Sequence, residues 1–269
     1  MLSTNQYLSS LIFEIAQQRY DAQAIKLVTD ESIVPQSAYR PFEQSQRHIA
    51  LCRAFAITRR ENRSVYMRKE DHWCWAPLIA FGAVECKRGQ DSFKIICENI
   101  GIQNQESAAR FVENMARVPY EKYKGILCAP LAAADFDPDV ILINCKNDEL
   151  RTILLAIKSQ TGTLLRSDFD AIDSCIWSII PPMDNAEYRI TLPDPGDYSR
   201  ALTDQTDIIL SIPWQRIEEF TKGMELNRSH EWTTSSFIMD MKNDFPRPPF
   251  YNELYRLWSL PEGETWKKQ

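Results

Sequence analysis

Two runs constrain this chain most. Val140-Ile141-Leu142-Ile143-Asn144-Cys145 is almost continuously apolar, is bounded by the turn-forming Asp137-Pro138-Asp139, and leads directly into a helical pattern over 147–159. Ile208-Ile209-Leu210-Ser211-Ile212-Pro213 does the same before a helical pattern over 214–224. A strand this apolar is buried, and a helix following at once supplies its cover. The expected fold is therefore α/β or α+β, with helices packed on a mixed sheet.

Shorter segments fill in that frame. Leu8, Leu11, Ile12, Ile15 and Ala16 recur at helical spacing within 3–19, with Ser3 or Thr4 placed to cap. Residues 24–28, 64–67 and 125–131 read as strands, and 30–45 as a polar, proline-punctuated loop. Helices are expected over 48–59 and 105–118, and a turn or helix within 71–82 near Pro77. One internal echo, Asp71-His72-Trp73-Cys74-Trp75-Ala76-Pro77 against Asp173-Ser174-Cys175-Ile176-Trp177, suggests pseudo-duplicated halves. Residues 1–225 are read as one domain and 226–269, with its Phe245–Tyr251 aromatic-proline stretch and Trp266, as an extension that wraps the domain or joins copies into a homo-oligomer.

At 269 residues the chain can bury a sizeable core. A net charge of −6 and no basic block disfavour nucleic acid as a partner. No apolar run reaches the ~18 residues of a membrane span, and the N-terminus lacks the pattern of a signal peptide. The expected location is the cytoplasm, where seven cysteines stay reduced.

The chemistry is sought among those thiols. Cys97, Cys128 and Cys145 lie in apolar runs and read as small core residues, and Cys86 as a loop residue. Cys52, Cys74 and Cys175 have neighbours suited to a site. Cys52 follows His48 by four residues on the expected helix, with Arg53 beside it; Cys74 lies between Trp73 and Trp75, two residues after His72; Cys175 follows Asp173-Ser174. Three converging thiolates hold a soft metal or an iron–sulfur cluster, whereas a single thiol beside His48 or His72 makes an activated nucleophile. No CxxC supports the metal reading. The alternative is a small-molecule pocket lined by Trp73, Trp75 and Trp177, with Arg53 or Arg200 holding an anionic group. His230 completes the histidines. Asp135, Asp137 and Asp139 lack the glycine and distal glutamate of a calcium loop and read as a turn. Arg200 lies close enough in sequence to pair with Asp197.

Several blocks occur in an order that resembles the ArCR family, domain of unknown function 169. These are Ile25-Lys26-Leu27, Cys52-Arg53-Ala54-Phe55-Ala56, Asp71 before Cys74, Ala116-Arg117-Val118-Pro119, Tyr123 to Leu131, Phe136 to Leu142, Cys175, Gly196-Asp197 with Arg200, and Ile212-Pro213. The resemblance covers about residues 5–225. It implies cysteines at the places of Cys52, Cys74 and Cys175 and a shared thiol site, and supplies no reaction. The two indoles around Cys74 depart from the small residues usual there.

Overall fold

The computed structural model describes residues 2–87, 89–229 and 249–260. Strands β1 (Gln23–Val28), β2 (Val65–Met67), β3 (Gly125–Pro130), β4 (Val140–Cys145), β5 (Arg189–Thr191) and β6 (Ile208–Pro213) form one sheet in the order β2-β3-β1-β4-β6-β5. The ladders between these strands are antiparallel. The helices are α1 (Thr4–Ala16), α2 (Pro41–Ser45), α3 (Leu51–Glu61), α4 (Trp75–Ala80), α5 (Gln90–Ile100), α6 (Gln105–Asn114), α7 (Asn147–Thr161), α8 (Ser174–Trp177), α9 (Ile180–Asn185), α10 (Pro195–Arg200), α11 (Ile217–Ser229) and α12 (Pro249–Leu257). The expected mixed α/β architecture is present, and the ladders place it on the α+β side.

Strand alternation sorts the core into two layers. Ala24, Ile141, Ile143, Leu210 and Ile212 face one side, where α1, α7 and α11 cover them through Leu8, Leu11, Ile12, Ile153, Phe220 and Met224. Ile25, Ile126, Cys128, Val140, Leu142 and Ile209 face the other, under Leu51 and Phe55 of α3, Ala76 and Ala80 of α4, Ile176 of α8 and Ile180 of α9. The α1 start is capped as its sequence predicts: Gln6 N–H donates to Ser3 Oγ, and the Gln6 side chain accepts from Ser3 N–H. Helices α7 and α11 approach closely because residue 223 is glycine; a Cβ there would lie 2.3 Å from the Ala156 carbonyl oxygen.

The two halves of the sheet repeat one another. β1, β2 and β3 contain 6, 3 and 6 residues, and β4, β5 and β6 contain 6, 3 and 6. Cys128 pairs with Ile25 on one side and Val65 on the other. Ser211 pairs in the same way with Leu142 and Arg189. Ala24 opposite Ile141 is the middle of the β1–β4 contact and marks a pseudo-two-fold axis. Both halves then end in proline and a 3-10 turn, Leu131–Ala133 and Trp214–Arg216. The strand pattern repeats, but the echo read from sequence joins parts that are not equivalent: Asp71 to Pro77 follows β2, whereas Asp173 to Trp177 precedes β5. By position, α8 and α9 correspond to α3, so the counterpart of the Cys175 region is the Cys52 region.

Other differences are local. The loop 30–45 contains the 3-10 turn Glu31–Ile33 and α2. The helix expected over 105–118 stops at Asn114, where Met115 leaves the helical conformation and the Arg117 guanidinium folds back onto the carbonyls of Val112 and Met115. The second expected helix after β6 begins with a 3-10 turn before α11. Cys128 and Cys145 are buried as read, while Cys86 and Cys97 are half-buried on a satellite cluster with Phe93 and Ile96. The body through α11 forms one compact unit, and α12 belongs to a second, beginning at Ser235. His230, Phe245–Pro248 and Trp266 lie outside the described residues. Among the described residues no helix is long and apolar enough to cross a membrane.

Candidate functional site

Two backbone hydrogen bonds decide where the first two thiols lie. Ile49 N–H donates to Asp71 O at 2.8 Å, and Trp73 N–H donates to Ile49 O at 2.9 Å, a parallel bridge between Ile49 and His72. The chains entering α3 and α4 are thereby laid side by side. Cys52 falls in the first turn of α3 and Cys74 caps α4. Asp71, fully buried, locks this crossing by accepting from Phe42 N–H at 2.8 Å and Arg68 N–H at 2.7 Å. Cys74 packs against the small cluster of Ala50, Cys52, Ala56 and Ala201.

The third thiol arrives from the other half. Cys175 lies in α8, whose capping residue Asp173 has φ 59°, a left-handed conformation that Asp tolerates better than most. Asp194 caps α10, accepting from Gly196 N–H at 2.6 Å and Asp197 N–H at 3.1 Å. Its other oxygen accepts from Ser174 N–H at 3.1 Å. Asp197 accepts from Ser174 Oγ–H at 2.5 Å and from Asp194 N–H at 2.9 Å. The starts of α8 and α10 are thus tied into one carboxylate–hydroxyl network. Arg59 of α3 fastens the same region from below, donating from Nη2 to Ala201 O and Thr203 Oγ1, each at 2.9 Å.

The electrostatics show that thiols and carboxylates share one neighbourhood. Burial pushes the Cys52 thiol up to about 12; Asp197 and Asp194 add to this, Arg200 opposes it, and Cys74 adds again. Burial also raises Cys74, with Arg200 opposing and Asp194 and Asp173 adding. Cys175 is raised well above the ordinary thiol value by burial, then by Asp173, Asp194, Cys52 and Asp197. Cys52 therefore feels both other sulfurs. All three are neutral thiols at pH 7. Asp173 is raised to about 7, first by burial and then by Asp194 and Asp170, and Asp197 is raised by burial and Asp194. Among the described residues no group of three or more His, Cys, Asp or Glu is arranged to hold a metal ion.

Of the remaining sequence-derived candidates, Arg200 and Trp73 lie together beside the thiols. His48 does not share a helical face with Cys52: the Ile49 bridge keeps the backbone extended until α3 begins at Leu51. Its exposed ring stacks on Phe42 at 4.9 Å, with Nδ1 2.6 Å from Glu70 O. His72 is buried and pulled down to about 4 by that burial, so it is neutral; it lines a small cleft with Leu27, Met67, Phe81, Tyr123 and Lys124. Trp73 and Trp75 do not wall in Cys74; they are 62% and 43% exposed. Arg53 is exposed on α3. Arg200 does not pair with Asp197, whose carboxylate is occupied by Ser174. The Arg200 guanidinium lies over the Trp73 ring, 5.1 Å from its centroid. Gly196 allows this position, since a Cβ there would meet Arg200 Nη2 at 2.1 Å. Trp177, half-buried, carries Arg189 at 5.4 Å.

Asp173, Asp194 and Arg59 were missed as site residues. For Asp194 the signal was present: Asp194-Pro195-Gly196-Asp197 is a helix start with proline at its first position and an acid at its third. Nothing in the local sequence ties Arg59 to Ala201.

Residues 14–223 match the family described as uncharacterised ArCR. The chain is also similar to the uncharacterised protein MJ0308 of Methanocaldococcus jannaschii, 22% identical over 212 residues, covering 78% of this chain and 88% of that one. No solved structure matches.

Proposed function

The chain belongs to the uncharacterised ArCR family, and from that premise we propose that the junction of its two halves is a small-molecule site with acid–base capability. Arg200 and Trp73 at the surface hold an anionic or flat group of the ligand, and Cys74 lines the approach beside them. Asp173, with a proton that exchanges near pH 7, donates to or accepts from the bound molecule; a group titrating at the working pH is the most effective proton carrier. The observation that carries this reading is the gathering of Cys52, Cys74, Cys175, Asp173, Asp194 and Asp197, from distant parts of the chain, into one electrostatic neighbourhood. Perturbed titrating groups concentrate at sites of chemistry.

The test is tryptophan fluorescence of the full chain against a panel of small carboxylates and phosphorylated aromatic metabolites. Saturable quenching that Arg200→Ala abolishes supports the site, and the absence of saturable quenching by every compound removes it. For a ligand that binds, Asp173→Asn should leave the quenching intact and slow any turnover at least tenfold.

A second reading, a soft metal ion or iron–sulfur cluster on Cys52, Cys74 and Cys175, is supported by the coupling of Cys52 to each of the other two thiols and would require them to rearrange, since among the described residues no three are arranged to hold a metal. Metal binding would have to displace three protons from these thiols, with affinity rising as pH rises. Anaerobic purification followed by iron and sulfide assay and an absorption spectrum tests it. A colourless, metal-free, folded preparation that takes up no metal on reconstitution counts against it.

A further inference from the structure

The second half of the sheet buries polar groups that its own fold does not use. Arg189 Nε, Thr191 Oγ1 and Ser211 Oγ on the sheet, and Ser178 Oγ at the end of α8, have no hydrogen-bonding partner among the described residues. These residues are 5%, 4%, 0% and 0% exposed. The register places Arg189 opposite Ser211, and Thr191 two residues along on the same face. That face is the one α8 and α9 cover, through Ile176, Ile179 and Ile180. Arg189 sits beneath Trp177, donates from Nη2 to Asp168 O at 2.9 Å, and among the described residues pairs with the part-exposed Glu187 alone, at 3.4 Å.

The first half supplies the control. The equivalents of Arg189, Thr191 and Ser211 are Val65, Met67 and Cys128, all fully buried in apolar packing. The three-strand unit therefore closes without polar groups at these places, and buried polar groups without partners are disfavoured unless something satisfies them.

We propose that this face of the second half is a separate binding site for a small oxyanion, a carboxylate or phosphate group. Guanidinium Nε–H can only donate, and the three hydroxyls can each donate, so the partner that suits them is an acceptor-rich, negatively charged group, with Arg189 and the paired Ser211 as its centre. The proposal does not depend on the thiol site.

The test is titration calorimetry of the full chain with sodium phosphate and, separately, sodium acetate, at constant ionic strength set by chloride. The Thr191→Val/Ser211→Cys variant removes both sheet hydroxyls with little change of volume. Binding to the wild type that weakens at least tenfold in this variant, with its melting temperature in chloride maintained, supports the proposal. Phosphate binding alone identifies a phosphorylated ligand, and acetate binding alone a carboxylate. If the double variant does not fold, Arg189→Lys keeps a charge and removes Nε, and the same tenfold loss is expected. Absence of binding by both anions to the wild type, or unchanged affinity in the variants, overturns the proposal and leaves these groups to ordered water.

Discussion

The first half of the sheet, β1 to β3, and the second, β4 to β6, share strand lengths and register but differ in what they do with them. The first keeps its covered face apolar, with Val65, Met67 and Cys128 in the core. It also carries the α5–α6 helical hairpin between α4 and β3, where the second half passes from α10 to β6 directly. The second places Arg189, Thr191 and Ser211 at the matching positions and splits its covering helix into α8 and α9 around Ser178. The same strand order and register thus close over an apolar face in one half and over a face with buried polar groups and a broken helix in the other. The thiol cluster takes Cys52 and Cys74 from the first half and Cys175 from the second, so neither half alone contains it.

Four experiments would break or sharpen this contrast. The largest effect is expected from Val65→Arg, which gives the first half the second half's cation. No partner waits there, and a buried unpaired charge should cost more than about 4 kcal/mol, enough to abolish cooperative unfolding in urea. If Val65→Arg folds with near wild-type stability, the two faces do not differ as described.

A milder exchange is Cys128→Ser against Ser211→Cys. The first buries a hydroxyl in a wholly apolar layer and should lose about 2 kcal/mol. The second removes a hydroxyl that has no partner, and its urea midpoint should stay level or rise. Equal losses in both would contradict the asymmetry.

Asp173→Asn tests the second half's contribution to the cluster through pH. The folded state holds the Asp173 carboxyl at about 7, against 3.8 as its ordinary value. A raised folded value means the folded state keeps the proton more strongly than the unfolded one. Relative stability from this group is therefore full below about pH 4 and is lost as pH rises through 7. Asparagine tolerates the left-handed conformation and never ionises. The variant should match the wild type at pH 4 and exceed it by about 1–2 kcal/mol at pH 8, after discounting for solvent screening. Thermal melts across that range that run parallel would remove Asp173 as a strained acid.

The smallest effect concerns the first half's half-buried thiol. Arg200 opposes the rise in the Cys74 pKa. Arg200→Ala should slow iodoacetamide modification of Cys74 at pH 8 roughly two- to fivefold, whereas Cys52 and Cys175 stay unreactive in the native protein. Faster modification of Cys74 in the variant would show that Arg200 shields the sulfur and does not act through charge.

The chain by itself determined β1 to β4, β6, the α1 face and the helices α3, α7 and α11, because buried strands and amphipathic helices are written at periods of two and 3.6 residues and need no distant partner to be recognised; the short β5 and the short helices α8 and α9 carry too few residues for either period to show. It also marked Cys52, Cys74 and Cys175 as the thiols to follow. It misplaced His48, since a helical spacing says nothing of the bridge at Ile49 that delays α3. It paired the wrong halves in the internal echo, since equivalent places were filled with different side chains. Only tertiary structure decided that Cys52 couples to Cys74 and to Cys175, that Asp194 and Asp197 are tied to Ser174, that Arg200 lies on Trp73, and that Arg189 is buried beneath Trp177. Those contacts depend on sheet register and on which faces the strands turn inward, and side-chain burial and pKa follow from that packing.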